Sequence, residues 1–408
     1  MERPEIRFKG YTDEWEQRKL PEFVSFFNGL TYTPDDVEET GTLVLRSSNV
    51  KNGEIIDADN VYVNDKVATS ENVQEGDIIV VVRNGSRALI GKHAQIKVSM
   101  SNTVIGAFMS GMRSEHSSFV NALLDTSAFE NEIAKNMGAT INQITGYMFS
   151  KMEFMIPSGE EQQQIGEYFQ SLDNLITLHQ RKCDEVKSLK KYMLQKMFPQ
   201  NEQKIPEIRF EGFTEAWEQR KLGDLVDRVT RKNQDLVSEL PLTISAQYGL
   251  IDQNEFFDKR VASKDVSGYY LIENGEFAYN KSTSTDAPWG AIKRLDRYEN
   301  GVLSTLYIIF GIKENNPVDS DFLVSYYSTN LWHKGIHEIA AEGARNHGLL
   351  NIAPADFFET KLMIPQDIEE QKKIGKYFEE LERLITLHQQ KCEELKKIKK
   401  FMLQKMFV

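Results

Sequence analysis

Several groups of residues in this 408-residue chain have the types and spacing that chemistry requires, and each group fails on a detail. Gly85-Ser-Arg-Ala-Leu-Ile-Gly91-Lys92-His93 has the outline of a phosphate loop. A P-loop, however, needs four residues between its glycines and a Ser or Thr after the lysine to hold Mg²⁺. Here five intervene and His93 follows. His333 and His337 stand one helical turn apart, but Glu338 lies outside the pair, so the H-E-x-x-H order of a zinc hydrolase is missing. Both histidines read as polar side chains on a surface helix. Asn316-Pro317 is followed by Val318, which removes the Asn/Asp-Pro-Pro-aromatic signature of amino-methyltransferases, and neither G-x-G-x-x-G nor G-x-S-x-G is present. The two cysteines, Cys183 and Cys392, cannot build a disulfide framework or a four-ligand zinc site by themselves. They read as small buried hydrophobes in a reducing cytoplasm. The expectation is a chain that catalyses nothing alone and binds no metal.

What remains is the chemistry of recognition. The formal charge of −12 argues against a nucleic-acid partner, but the sum hides its distribution. Asp35 to Asp77 holds eleven acids and three Lys/Arg, whereas Ile78 to Ser114 holds no acid and carries Arg83, Arg87, Lys92, His93, Lys97 and Arg113. Base edges are read by Arg, Lys, Asn and Gln, and phosphates by Arg, Lys, Ser, Thr and backbone N–H groups. By that chemistry the candidates in the first half are Arg83, Asn84, Ser86, Arg87 and Lys92. A second polar loop adds Thr140, Asn142 and Gln143. In the second half they are Asn280, Lys281, Ser282, Thr283 and Ser284, then Trp289, Lys293 and Arg294, and finally Arg345, Asn346 and His347. Trp289, beside Pro288, suits packing better than base stacking.

The elements that hold these residues come in two copies. Gln162–Phe198 recurs as Gln371–Phe407 with 24 of 37 positions identical, and Pro4–Leu20 recurs as Pro206–Leu222 with 13 of 17 identical. Each half therefore reads as leader, variable block and helix, with the blocks 21–155 and 223–363 similar only at their ends. The domain boundaries follow: 1–157 for leader and first block, 158–200 for the first helix, 201–365 for leader and second block, 366–408 for the second helix. Within the blocks, Asn52-Gly53 predicts a hairpin and Asp77–Val82 a buried strand. Residues 118–136 and 322–339 read as helices, and 275–279 and 305–310 as strands.

In the first long helix Leu172, Ile176, His179, Cys183, Val186, Lys190, Met193 and Met197 recur at spacings of four and three. The second repeats them as Leu381, Ile385, His388, Cys392, Leu395, Lys399, Met402 and Met406. That near-3.5 period is a seam against another helix, and the simplest partner for each rod is the other. At ~1.5 Å rise per residue each rod is roughly 55 Å long. Leu175, Leu178 and Leu189, with Leu384, Leu387 and Ile398, complete the apolar set assigned to the helix pair. Leu175 and Leu178 flank the seam, and this surplus suits either a docking surface for partner helices or packing against the chain's own globular blocks. No apolar run is long enough to span a bilayer, and MERPEIRFKG is no signal peptide.

The duplicated I-P…E-Q-x-x-I-x-x-Y-F…L-I-T-L-H-Q-x-K helix and the W-E-Q-R-K-L leader resemble the specificity subunits of type I restriction–modification systems, over essentially the whole chain. Gly275–Ile312 and Gly76–Lys92 resemble that family's target-recognition domains. The resemblance implies an α+β architecture: two globular α/β target-recognition domains separated by two long helices packed as an antiparallel coiled coil, with a pseudo-twofold internal repeat. It implies double-stranded DNA as ligand, each block reading half of a bipartite, asymmetric target. It implies two methyltransferase (modification) subunits docked on the helices, with restriction/translocase subunits joining through the complex. S-adenosylmethionine and ATP/Mg would belong to those partners, this chain holding no cofactor. Two half-sites on one DNA face lie about 34–36 Å apart, within reach of such a strut. The rival reading is a two-block protein-binding scaffold without DNA, which the acidic charge favours.

Overall fold

The computed structural model describes residues 3–137, 142–200, 203–245, 248–284, 287–314, 316, 318–340, 348 and 350–408. Its contacts divide the chain into two units, Met1–Arg181 with His388–Val408, and Lys182–Leu387. Each unit thus combines one variable block with part of both long helices, which run over Gly159–Lys196 and Ile368–Met406.

In the first unit the leader strand β1 (Glu16–Lys19) pairs antiparallel with β7 (Glu153–Ile156), the strand that enters the first long helix. Between them, β2 (Ser25–Asn28), β3 (Ile78–Val81), β4 (His93–Gln95) and β6 (Met109–Arg113) form an antiparallel sheet in the order β2-β6-β3-β4. A smaller sheet joins β5 (Thr103–Ile105) to Thr42–Leu45, Val61–Val63 and Val37–Glu38. The β-branched run of β3 is explained by burial on both faces. Ile78, Val80 and Val82 enter the core shared with the helices, while Ile79 and Val81 enter the core beneath the smaller sheet.

The second unit repeats this plan with different residues. Strand β8 (Glu218–Lys221) pairs with β14 (Lys361–Ile364). Strands β9 (Val226–Val229), β10 (Phe277–Asn280), β11 (Ala291–Arg294) and β13 (Ile308–Ile312) form a sheet in the order β9-β13-β10-β11, and β12 (Asn300–Leu303) precedes β13. Phe277 and Tyr279 face the helix-side core and Ala278 the other, the same division of faces as in β3.

The duplicated leader is explained by what it touches. Arg7 forks onto Glu161 (both N···O 2.7 Å), and Arg209 onto Glu370 (2.6 and 2.7 Å). The neighbouring Gln162 and Gln371 side chains donate to the carbonyls of Pro157 and Pro365. So the repeated E-Q locks each helix start to its own leader and to the Ile-Pro before it. The repeated terminal phenylalanines seal the cores. Phe407 stacks on Phe119 and meets Trp15 and Phe169 in the first unit, and Phe198 meets Trp217, Phe322 and Phe378 in the second. Gly166 and Gly375 are glycine because a Cβ would stand 2.7 Å from the backbone N of Phe119 and of Phe322 respectively.

Four local expectations need correction. Residues 118–136 are two helices, Ser117–Leu124 and Ser127–Asn136, because Thr126 caps a fresh start by accepting from Phe129 N. Residues 322–339 are likewise Ser320–Tyr326 and His333–Ile339, interrupted where Ser328 and Thr329 hydroxyls bond back to the carbonyls of Val324 and Tyr326. The strand placed at 305–310 begins at Ile308, residues 304–307 being a turn closed by Tyr307 N to Ser304 O. The strand at 275–279 starts at Phe277, after Gly275 takes φ +86° in a tight turn. The Asn52-Gly53 hairpin is present, with both residues at positive φ, but its strands are two residues each.

Candidate nucleic-acid interface

Strand β3 runs directly into the acid-free loop, and the structure brings the two polar segments of the first block together there. Ile144 N donates to Val82 O (2.8 Å), Arg83 and Gln143 form an isolated bridge, and Asn84 N reaches Asn142 O (3.4 Å). The Asn142 side chain returns the contact by donating to Gly85 O (3.0 Å). Asn84 Nδ2 donates to Ser47 Oγ and Lys92 Nζ to Ser47 O, so a third segment, invisible to charge patterning, supports the loop from below. Asn84 Oδ1 accepts from Ser86 N, which fixes the turn. Arg83, Ser86 and Arg87 are exposed, whereas Asn84, Lys92, Asn142 and Gln143 are half-buried and serve partly as braces. The Arg83 guanidinium lies 5.0 Å from the ring centroid of Phe108.

The loop after β10 is held the same way, although its sequence is unrelated. Leu350 N donates to Lys281 O (3.0 Å) and Thr283 N to Gly348 O (2.7 Å), matching the Ile144–Val82 and Asn84–Asn142 contacts. Asn280 Oδ1 accepts from Ser282 N, as Asn84 Oδ1 accepts from Ser86 N. Ser282 and Ser284 are exposed, and Asn280, Lys281 and Thr283 half-buried. Burial, with Arg228 nearby, lowers the Lys281 pKa.

Three expected contacts have other work. Arg294 is engaged by Asp296 (2.5 Å), Asp321 (2.7 Å) and Ser320 (2.7 Å); burial opposes its charge, but the two carboxylates outweigh it. Lys293 is half-buried, its pKa lowered by burial and then by Lys190. Trp289 packs on the core, edge-on to His337 at 5.1 Å, and its carbonyl accepts from Tyr279 OH. None of the three is presented as a reader. Thr140, Arg345, Asn346 and His347 lie outside the described residues.

The helix seam forms as its period requires. Leu172, Ile176, Val186, Met193, Leu381, Ile385, Leu395 and Met402 are buried or half-buried. His179 and His388 share a hydrogen bond between Nδ1 atoms (3.0 Å), one ring donating and the other accepting, so they satisfy each other. Cys392 faces Ile176 O in the first unit and Cys183 faces Ile385 O in the second, which makes the pairing antiparallel in both. Both thiols are free. Leu175, Leu178, Leu189, Leu387 and Ile398, by contrast, are exposed and belong to no seam, and Leu384 is half-buried.

Sequence reasoning missed Tyr192 and Phe401, equally exposed. Each of these eight apolar residues immediately precedes a seam residue, so they share one flank. An antiparallel pair of equivalent helices brings the same flank of each to one side. The first unit therefore carries Leu175, Leu178, Ile398 and Phe401, and the second Leu384, Leu387, Leu189 and Tyr192. Spacing relative to the seam was the signal that would have found the last pair.

Among the described residues no cluster of three or more His, Cys, Asp or Glu could hold a metal, and no helix is long and apolar enough to cross a membrane. The family model for the type I restriction modification DNA specificity domain matches residues 12–188 and again 214–397. The chain is 25% identical over 167 residues to the StySPI specificity subunit of Salmonella potsdam, a type I restriction enzyme component, covering 39% of this chain and 36% of the relative. It is 26% identical over 167 residues to the EcoKI specificity subunit of Escherichia coli (strain K12), with the same coverage. The match thus spans about a third of these curated relatives' length. The crystal structure of the S subunit of a type I restriction–modification system from M. genitalium shares the fold, with a TM-score of 0.65 at 14% identity over 100% of this chain and 99% of that one.

Proposed function

This chain belongs to the type I restriction–modification DNA specificity family, and we propose that it is the non-catalytic subunit that chooses the DNA sequence for such a complex. The observation that carries this reading is the recurrence of one clamped polar loop, after β3 and after β10, on two frames whose leaders and helices are nearly identical. A frame kept constant around two unlike loops suits a reader of two unlike half-sites. Each block reads one half of a bipartite, asymmetric target in double-stranded DNA through base-edge and phosphate contacts. The exposed loop residues Arg83, Ser86, Arg87, Ser282 and Ser284 supply those contacts, braced by Asn84, Lys92, Asn142, Gln143, Asn280, Lys281 and Thr283.

The exposed flank of the helices docks two modification subunits, one on each four-residue apolar patch, because the two patches are alike in position and in kind. Restriction/translocase subunits join through that assembly. S-adenosylmethionine and ATP/Mg enter with the partners.

Methylation mapping in cells carrying the chain with its cognate modification subunit, and in cells lacking only this chain, tests the proposal. A bipartite methylated motif that disappears with the chain is expected; unchanged methylation would refute it. The net charge of −12 favours the rival, a protein-binding scaffold. A steep loss of sequence-specific DNA affinity with salt excludes that alternative.

A further inference from the structure

Two turns outside every candidate loop hold equivalent positions in the two units. In the first, residues 106–108 join β5 to β6, closed by Met109 N donating to Gly106 O (2.9 Å). In the second, residues 304–307 join β12 to β13, closed by Tyr307 N donating to Ser304 O (3.1 Å). Strand register aligns them further. Val81 pairs with Met109, and Val82 N donates to Phe108 O (2.9 Å), so Phe108 sits beside Val82, where β3 becomes the clamped loop. Tyr279 pairs with Ile308 as the last pair of its ladder, so the turn that carries Leu306 lies just beyond the end of β10 that leads into the second clamped loop.

The surrounding sequences, TVIGAFMSGMR and GVLSTLYIIFGI, share little, yet each places a large apolar side chain at this tip. Phe108 is 55% exposed and Leu306 54%. An exposed leucine or phenylalanine alone means nothing. The same exposure, at the same turn, beside the same loop, in two unlike blocks is a different matter.

What such a side chain meets is set by its neighbours. Phe108 lies within the acid-free stretch, and Arg83 holds its guanidinium over the ring. A cation beside a protruding apolar tip, as at Phe108, fits the stacked bases of a duplex, whose phosphates meet the cation while the step between base pairs accepts the hydrocarbon. Phe and Leu are among the side chains that proteins insert between base steps.

Resting on the DNA reading above, we infer that Phe108 and Leu306 are wedges, each entering one base step in its own half of the target and partly unstacking it. The blocks would then also select for steps that open easily, a form of readout in which no base edge is contacted.

The test uses the full chain assembled with its modification subunits, without methyl donor, on a duplex carrying the motif found by methylation mapping. Single 2-aminopurine substitutions are placed at successive positions other than the methylated bases. The wild-type complex is expected to raise fluorescence at one step in each half. Phe108→Ala should abolish the rise in one half only and weaken binding on the order of tenfold to a hundredfold, the range seen when a stacked aromatic is removed. Leu306→Ala should do the same in the other half. Phe108→Leu should keep the signal, since leucine serves the second unit. Both positions are exposed, so the variants fold.

Alanine variants with the wild-type fluorescence pattern and affinity would overturn the inference. So would variants that bind DNA normally but lose the modification subunits, which would assign these tips to a protein contact. A wild-type complex that does not bind the duplex would instead sink the DNA reading itself.

Discussion

Replacing Arg7 with methionine removes the charge that faces Glu161 while keeping much of the side chain's length. The Glu161 side chain is fully buried and that of Arg7 is 14% exposed, so the carboxylate has no route to water when its partner goes. Breaking a buried pair by deleting one member costs about 3–5 kcal/mol, because an uncompensated charge stays behind. The penalty falls on the first unit, since the second holds its own copy of the clamp in Arg209 and Glu370. Hydrogen exchange read by mass spectrometry separates the two. Amides of β3 should exchange about two to nearly four orders of magnitude faster in Arg7→Met, at about 1.4 kcal/mol per factor of ten, while those of β10 keep their protection. The double variant Arg7→Met/Glu161→Met should recover most of the loss, because it buries no orphaned charge. Equal loss in both units, or a double variant as weak as the single one, would show that the charge pair is not what holds the leader to its helix.

Two other outcomes are expected. Lys399 bridges Asp125 and Asp173 (both 2.6 Å); burial lowers its pKa, but the two carboxylates outweigh this and raise it, while burial, opposed by Lys399, raises that of Asp173 above the usual 3.8. In Lys399→Met the folded pKa of Asp173 rises further. The folded state then binds that proton more tightly than the unfolded one, so the variant's deficit, about 3–5 kcal/mol at neutral pH, should shrink as pH falls through the raised value. Urea midpoints from pH 4 to 8 check this, and a deficit independent of pH would contradict it. Arg87→Ala, at an exposed loop position, should weaken DNA binding alike for target and non-target duplexes and flatten the salt dependence by about one phosphate contact, a slope change of ~0.9. A loss confined to the target duplex would make Arg87 a base reader instead.

What could be read from the sequence was what it states twice. The seam period and the surplus leucines follow from residues such as Ile176 and Ile385, whose burial is dictated by spacing alone, whereas the antiparallel direction came only from the family resemblance. The buried run Ile78–Val81 was equally plain, because β-branched residues on both faces leave few alternatives. The clamp between Arg7 and Glu161 was not legible, although both partners lie in repeated motifs, since composition does not say which distant carboxylate an arginine will meet. Arg294 and Lys293 misled for the reverse reason: a cation near a loop looks free until tertiary contacts supply its carboxylates or its burial. Leu306 was assigned to a strand because Thr-Leu-Tyr-Ile-Ile-Phe has uniform β propensity. The turn that exposes it is set by Ser304 and by register with β10, neither of which is local to the run.

The crossed sealing of the cores imposes a timetable on synthesis. Residues Lys182–Leu387 form a contiguous stretch, complete with Phe198 in place, whereas the first unit waits for Phe407. The roughly two hundred residues between Arg181 and His388 take roughly 10–40 s to make at about 5–20 residues per second. Through that interval Trp15, Phe119 and Phe169 lack the aromatic ring that closes over them. The half made first is therefore the half finished last. A ribosome that stalls late, or a protease that trims the last turn of the second long helix, damages the amino-terminal block and spares the carboxy-terminal one. Quality control in the cell would meet this protein as an open first block tethered to a closed second one.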